Sequence, residues 1–79
     1  MMINLRHAVV HARHGDWDKT HLMVRADESL LGTWLHGIVH IQEGDLENAS
    51  FWYAKAGRNF AQHGSAEEEL GKLESELQD

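Results

Sequence analysis

WLHGIVHIQEGDLENASFWYAKAGR, from Trp34 to Arg58, is the stretch that decides the fold. At its centre Gly44-Asp45 predicts a turn, because glycine readily takes the left-handed conformation that ends a helix and aspartate caps the helix that follows. Apolar residues recur at helical spacing on both sides of this turn. Before it they are Leu31, Trp34, Leu35, Ile38 and Ile41, and after it Leu46, Ala49, Tyr53, Ala56 and Phe60. The stretch therefore predicts two helices packed as a hairpin.

A second glycine-aspartate turn, Gly15-Asp16, predicts an earlier and shorter hairpin. It joins a helix from about Ile3 to His14 to a short helix that reaches about Ala26. The two turns lie 29 residues apart, since 44 − 15 = 29. At that offset Leu5 pairs with Trp34, His7 with His36, Ala8 with Gly37, Val9 with Ile38, His11 with His40 and His14 with Glu43. This correspondence indicates an internal repeat of two stacked hairpins.

The C-terminal segment predicts a fifth helix. Ser65 and Glu68 have the spacing of a capping box, and Leu70, Leu73 and Leu77 form a narrow apolar stripe behind them. A stripe of this kind is typical of a terminal helix that covers the last unit of a repeat protein. We therefore predict a single all-α domain over residues 1–79, with hairpins at about 3–26 and 29–62 and a capping helix at about 66–78.

The second hairpin resembles the tetratricopeptide repeat and its shorter Sel-like relatives. The residues that carry the resemblance are Gly37, Gly44, Asp45, Leu46, Ala49, Tyr53 and Ala56. Most of the chain also resembles a small bacterial protein family with the motifs Gly-Asp-Trp-Asp-x-x-His, here Gly15 to His21, and His-x-x-x-His-x-x-Glu-Gly-Asp-x-x-Asn-Ala-x-x-Trp-Tyr, here His36 to Tyr53. The first resemblance implies a helical-repeat fold that binds proteins, and the second implies no particular activity.

Composition excludes several classes of function. The chain has no cysteine, so it can form neither a disulfide nor a thiolate zinc site. Its net charge of −6 argues against a nucleic-acid partner, because phosphate binding needs clustered lysine and arginine. No stretch approaches the roughly 20 apolar residues that a membrane span requires. We expect a soluble, cytoplasmic protein without nucleic-acid or membrane partners.

Histidines form the most informative polar pattern, with seven in the 79 residues. His36, His40 and Glu43 fall on one line of the third helix, and His7, His11 and His14 fall on one line of the first. Imidazoles one helical turn apart can reach the same ion, so each line could hold a divalent transition metal such as zinc, nickel, copper or iron. The interpretation we favour is structural, with each imidazole packed against the partner helix and bonded to a backbone carbonyl or to Glu43. On that interpretation the protein needs no cofactor.

Enzymatic activity is the third functional alternative, after protein interaction and metal binding. The neighbouring side chains of His40 and Glu43 could act as an acid and base pair. However, neither a nucleophilic serine motif nor a glycine-rich phosphate loop accompanies them. We therefore assign no catalytic residues.

An apolar face shared by the first and third helices is the predicted binding surface. It comprises Leu5, Val9, Leu31, Trp34, Ile38 and Ile41. If the last helix leaves this face open, it can bind a peptide or a second copy of the chain. Repeat units usually need about three copies to be stable alone, so two units favour a homodimer. The leading expectation is thus a module for protein interaction or self-association, with metal binding as the alternative.

Overall fold

The computed structural model describes residues 4–77, and within them the chain forms five α-helices and no strand. The helices are α1 (Leu5–Arg13), α2 (Trp17–Val24), α3 (Leu30–Gln42), α4 (Leu46–Lys55) and α5 (Ala66–Glu76), with a short 3₁₀ helix (Phe60–Gln62) between α4 and α5. The all-α prediction is confirmed. The predicted ends at residues 3 and 78 lie outside the described residues.

Both glycine-aspartate turns have the predicted local geometry. Gly15 and Gly44 adopt φ angles of +83° and +79°. Asp16 and Asp45 then cap α2 and α4, each accepting a hydrogen bond from the backbone N–H three residues ahead. Their own backbone N–H groups bond back to the last turns of α1 and α3, at 2.8 and 2.9 Å. The two turns are therefore alike in conformation and in hydrogen bonding.

Helix α3 is the centre of the molecule. All nine residues from 32 to 40 are buried, whereas the other helices each bury only one face. Helices α1 and α2 pack against each other, α3 packs against α4, and α2 lies beside α3. Helix α5 packs mainly on α3 and also contacts α1. This arrangement gives α3 a neighbour on almost every side.

Helix α5 buries the apolar face that we predicted as a binding surface. Val9, Trp34 and Ile38 are only 4, 2 and 0% exposed, and Leu5, Leu31 and Ile41 pack at the edge of the same core. Leu70 and Leu73 of the α5 stripe are buried in that core as well. The prediction of an open binding surface is wrong, because the chain supplies its own cover for these residues.

Close contact between α3 and α4 depends on Gly37. A Cβ atom at this position would lie 2.6 Å from Cδ1 of Tyr53, too close for van der Waals contact. The Tyr53 ring is held in place because its hydroxyl donates a 2.7 Å hydrogen bond to Glu69. We expect Gly37→Ala to lower the free energy of unfolding by about 1–3 kcal/mol through overpacking, as measured by urea denaturation.

The matched control for this prediction is Gly71→Ala in α5. A Cβ atom there would lie 3.7 Å from the Arg13 guanidinium, an ordinary van der Waals distance. Because alanine favours a helix interior over glycine, this variant should be unchanged or more stable by up to about 1 kcal/mol. Equal effects of the two substitutions would show that helix propensity, rather than the contact with Tyr53, determines the result.

Candidate metal centre

Three imidazoles meet in the space between α2 and α3. His36 and His40 lie one turn apart on the same face of α3, as expected for residues at i and i+4. His21 reaches them from α2, which packs beside α3. One ring nitrogen of each histidine lies within 4.8 Å of the corresponding atoms of the other two. Among residues 4–77 this is the only group of three or more histidine or acidic side chains at such distances.

Two of the ring nitrogens face each other directly. Nε2 of His21 lies 3.1 Å from Nε2 of His36. The ring centroid of His21 is 4.8 Å from that of His36 and 5.1 Å from that of His40, and in both pairs the rings meet edge to face. His36 and His40 are stacked at 5.1 Å. The three rings thus converge on one small volume.

Glu43, at the C-terminal end of α3, lies on the outer side of the cluster. Its two carboxylate oxygens are 3.5 Å from Nδ1 of His21 and 3.1 Å from Nδ1 of His40. Nδ1 of His40 is nevertheless buried without a hydrogen bond of normal geometry. With the carboxylate near its Nδ1, His21 has its Nε2 directed at His36. Metal-binding histidines commonly donate their other ring N–H to a carboxylate placed in this way.

Burial keeps His36 neutral. His36 and His40 are 5% and 9% exposed. Burial is the main cause that lowers the pKa of His36 to about 4, and the neighbouring His21, His40 and Lys55 lower it further. His36 is therefore uncharged at neutral pH, which is the form of imidazole that binds a metal.

Aromatic packing fixes the orientation of His36. Its ring stacks on Trp52 of α4, with the centroids 4.0 Å apart and the planes 16° apart. The Lys55 ammonium lies 5.1 Å from the Trp52 ring centroid on the same helix. Our favoured interpretation placed these imidazoles against the partner helix of their hairpin, and the stack on α4 has that form. The contact with His21, which comes from the other hairpin, was not part of it.

The predicted ligands on α1 do not form a cluster of this kind. His7 and His14 are exposed, and the His11 side chain is 38% exposed. Nδ1 of His11 lies 3.8 Å from a carboxylate oxygen of Asp16. Of the two predicted lines, the structure brings His36, His40 and Glu43 together, and it leaves the α1 line on the surface.

Sequence reasoning missed His21 as a member of the site. The pattern places His21 only on the short second helix, because helical spacing relates it to other residues of the same helix and not to those of α3. Its place in the Gly-Asp-Trp-Asp-x-x-His motif, upstream of the His36 and His40 motif, was the signal that could have connected the three residues.

Two further observations bear on the class of protein. Within the described part of the chain, no helix has both the length and the apolar character needed to cross a membrane. No family model, curated protein or solved structure matches the chain.

Proposed function

We propose that this protein binds a divalent transition metal ion through His21, His36 and His40. The observation that carries the proposal is the convergence of three imidazoles from two neighbouring helices, α2 and α3. Three imidazole nitrogen ligands and a neighbouring carboxylate suit zinc, nickel or copper better than calcium or magnesium, which prefer oxygen ligands.

The distances are compatible with one shared ion. Two nitrogens that each lie about 2.0–2.1 Å from a tetrahedral ion stand about 3.3 Å apart. The Nε2 atoms of His21 and His36 are separated by 3.1 Å, so little movement would be needed for both to bind. His40 supplies the third nitrogen, and Glu43 holds two of the rings from outside.

A bound ion would join the two hairpins. His21 belongs to the first hairpin, whereas His36 and His40 belong to the second. A domain of 79 residues buries only a modest fraction of its surface, so a cross-link of this kind adds a substantial share of its stability. Three protein ligands also leave a fourth position of a tetrahedral ion for water or a small molecule.

The experiment is a thermal-denaturation titration with zinc, nickel and copper at pH 7.5 and again at pH 5.5. An ion at 100 times its dissociation constant adds about 2.7 kcal/mol to the folded state. For a domain of this size we expect the melting temperature to rise by roughly 10 °C or more. The shift should be smaller in acid, because protons compete for the same nitrogens.

Variants identify the ligands. In protein too dilute to self-associate, His21→Ala and the double variant His36→Ala/His40→Ala should each lose the metal-dependent shift, while circular dichroism confirms that they remain helical. The matched control is His7→Ala/His11→Ala, which removes two exposed or half-exposed histidines at the same spacing. This control should keep the full shift. An equal shift in all of these proteins, or none in the wild type, would refute the site.

Self-association remains our second proposed function, and it now requires a different surface. The apolar face first considered for it is buried by α5. The exposed histidines of α1 offer another surface, separate from the cluster between α2 and α3.

A further inference from the structure

Helix α1 carries a histidine pair that repeats the pair on α3. At the 29-residue offset, His7 and His11 correspond to His36 and His40, and Asp16 corresponds to Asp45. The turns that follow the two helices have the same φ angles to within a few degrees and the same hydrogen bonds. The backbone therefore presents both pairs in the same way.

One contact between side chains repeats as well. Nδ1 of His11 lies 3.8 Å from Oδ2 of Asp16, and Nδ1 of His40 lies 3.9 Å from Oδ2 of Asp45. At His40 a closer carboxylate is Glu43, at 3.1 Å, and the residue at the matching position of α1 is His14. Carboxylates beside the imidazole orient metal-binding histidines when they accept its N–H, and a small movement of the Asp16 side chain would bring it within that distance of His11.

The α1 pair lacks the third ligand that the α3 pair possesses. For His36 and His40 this ligand is His21, which comes from the helix packed beside α3. In the described part of the chain, no third histidine or acidic side chain joins His7 and His11 at coordinating distance. Two imidazoles supply only two of the four ligands of a tetrahedral ion.

We propose that His7 and His11 form half of a second metal site, which a second copy of the chain completes. Two copies related by a twofold axis through the ion would supply four imidazoles from one self-complementary surface. The same surface bears Val10, which is 50% exposed and lies between the two histidines in sequence. Pairing of the two α1 helices would also bury this side chain against its counterpart.

The charge of the chain explains why pairing would depend on a metal ion. Each chain carries a net charge of −6, so two copies repel each other at low ionic strength. A divalent cation held between them adds positive charge at the contact and fixes the helices to each other. The inferred dimer is therefore a zinc-dependent one and does not require the apolar core to open.

Sedimentation velocity on the full chain, with zinc as the probe, tests this inference. The protein should be a monomer of 9.0 kDa in EDTA and should double its mass when zinc is added. His7→Ala/His11→Ala should remain monomeric with zinc, although its thermal stabilisation by zinc persists. His21→Ala should show the reverse, dimerising with zinc at high protein concentration but gaining no thermal stability from zinc in dilute solution, where the dimer does not form.

These two variants separate the second site from the first. Failure of the site between α2 and α3 would abolish the thermal shift measured in dilute solution without affecting the dimer, and failure of the α1 site would abolish the dimer without affecting that shift. A dimer that persists in EDTA, a zinc-dependent dimer that persists in His7→Ala/His11→Ala, or a wild type that stays monomeric with zinc would each overturn the inference.

Discussion

Trp34→Glu should unfold the chain instead of giving a folded, soluble monomer. Trp34 is 2% exposed and belongs to the core, to which all five helices contribute. The Arg58 guanidinium also lies over its ring, with the central carbon 3.8 Å from the ring centroid. Loss of a buried tryptophan costs about 3–5 kcal/mol, and burying a carboxylate in its place adds to that cost. Since small domains often have only about 5 kcal/mol of stability, the variant should be largely unfolded.

Circular dichroism and sedimentation of the metal-free protein measure this result. The matched control is Phe51→Glu, which changes an aromatic residue that is 58% exposed on α4. This control should keep its helical signal and a cooperative thermal transition. A helical, monomeric Trp34→Glu protein would contradict the structure, because it would show that Trp34 belongs to an interface between chains.

The difference between the predicted and observed roles of Trp34 has a physical cause. The turns at Gly15 and Gly44 could be predicted because their conformations depend on residues only a few positions away. The capping box at Ser65 and Glu68 could be predicted for the same reason. The α5 stripe predicted a helix that covers the last hairpin, but an apolar stripe does not state which face of that hairpin receives it. The local elements and the presence of a covering helix were therefore predictable, whereas the face of α3 that it buries was not.

The candidate metal centre likewise has a part that the sequence could predict and a part that it could not. His36 and His40 could be paired from the sequence because residues four apart share one face of a helix. Glu43 was placed correctly beside them, but spacing did not distinguish a ligand from an outer carboxylate. His21 was missed because its contact with His36 depends on how α2 lies against α3. Side-chain contacts between helices depend on tertiary packing, which helical periodicity does not describe.

Glu69→Ala should be the other strongly destabilising substitution, lowering the free energy of unfolding by about 3 kcal/mol or more. The Glu69 residue is 4% exposed, and its carboxylate accepts hydrogen bonds from the Tyr53 hydroxyl at 2.7 Å and the Gly64 backbone N–H at 3.1 Å. Lys72 adds a contact at 3.0 Å. Removing the carboxylate leaves donors without an acceptor, at about 1–3 kcal/mol for each one that stays buried. Urea denaturation at pH 7 measures the loss, and Glu67→Ala, at an exposed position of the same first turn, should change stability by only about 0.5 kcal/mol.

The dependence of stability on pH provides an independent test of the same contacts. Burial alone would raise the pKa of the Glu69 carboxyl, but hydrogen bonds from Tyr53, Lys72 and Gly64 outweigh burial and lower it below the ordinary value of 4.5. A lowered pKa in the folded state means that the unfolded chain binds protons more readily, so this contribution to stability is complete above pH 4.5 and is lost as the pH falls through the folded pKa. Glu69→Gln keeps an acceptor but cannot titrate, and it should therefore be less stable than the wild type at pH 7 and approach it as the pH falls. Because other carboxylates titrate equally in both proteins, the difference between the two stability curves isolates Glu69. A difference that stays constant from pH 7 to pH 3 would show that the charge of Glu69 does not stabilise the junction of α4 and α5.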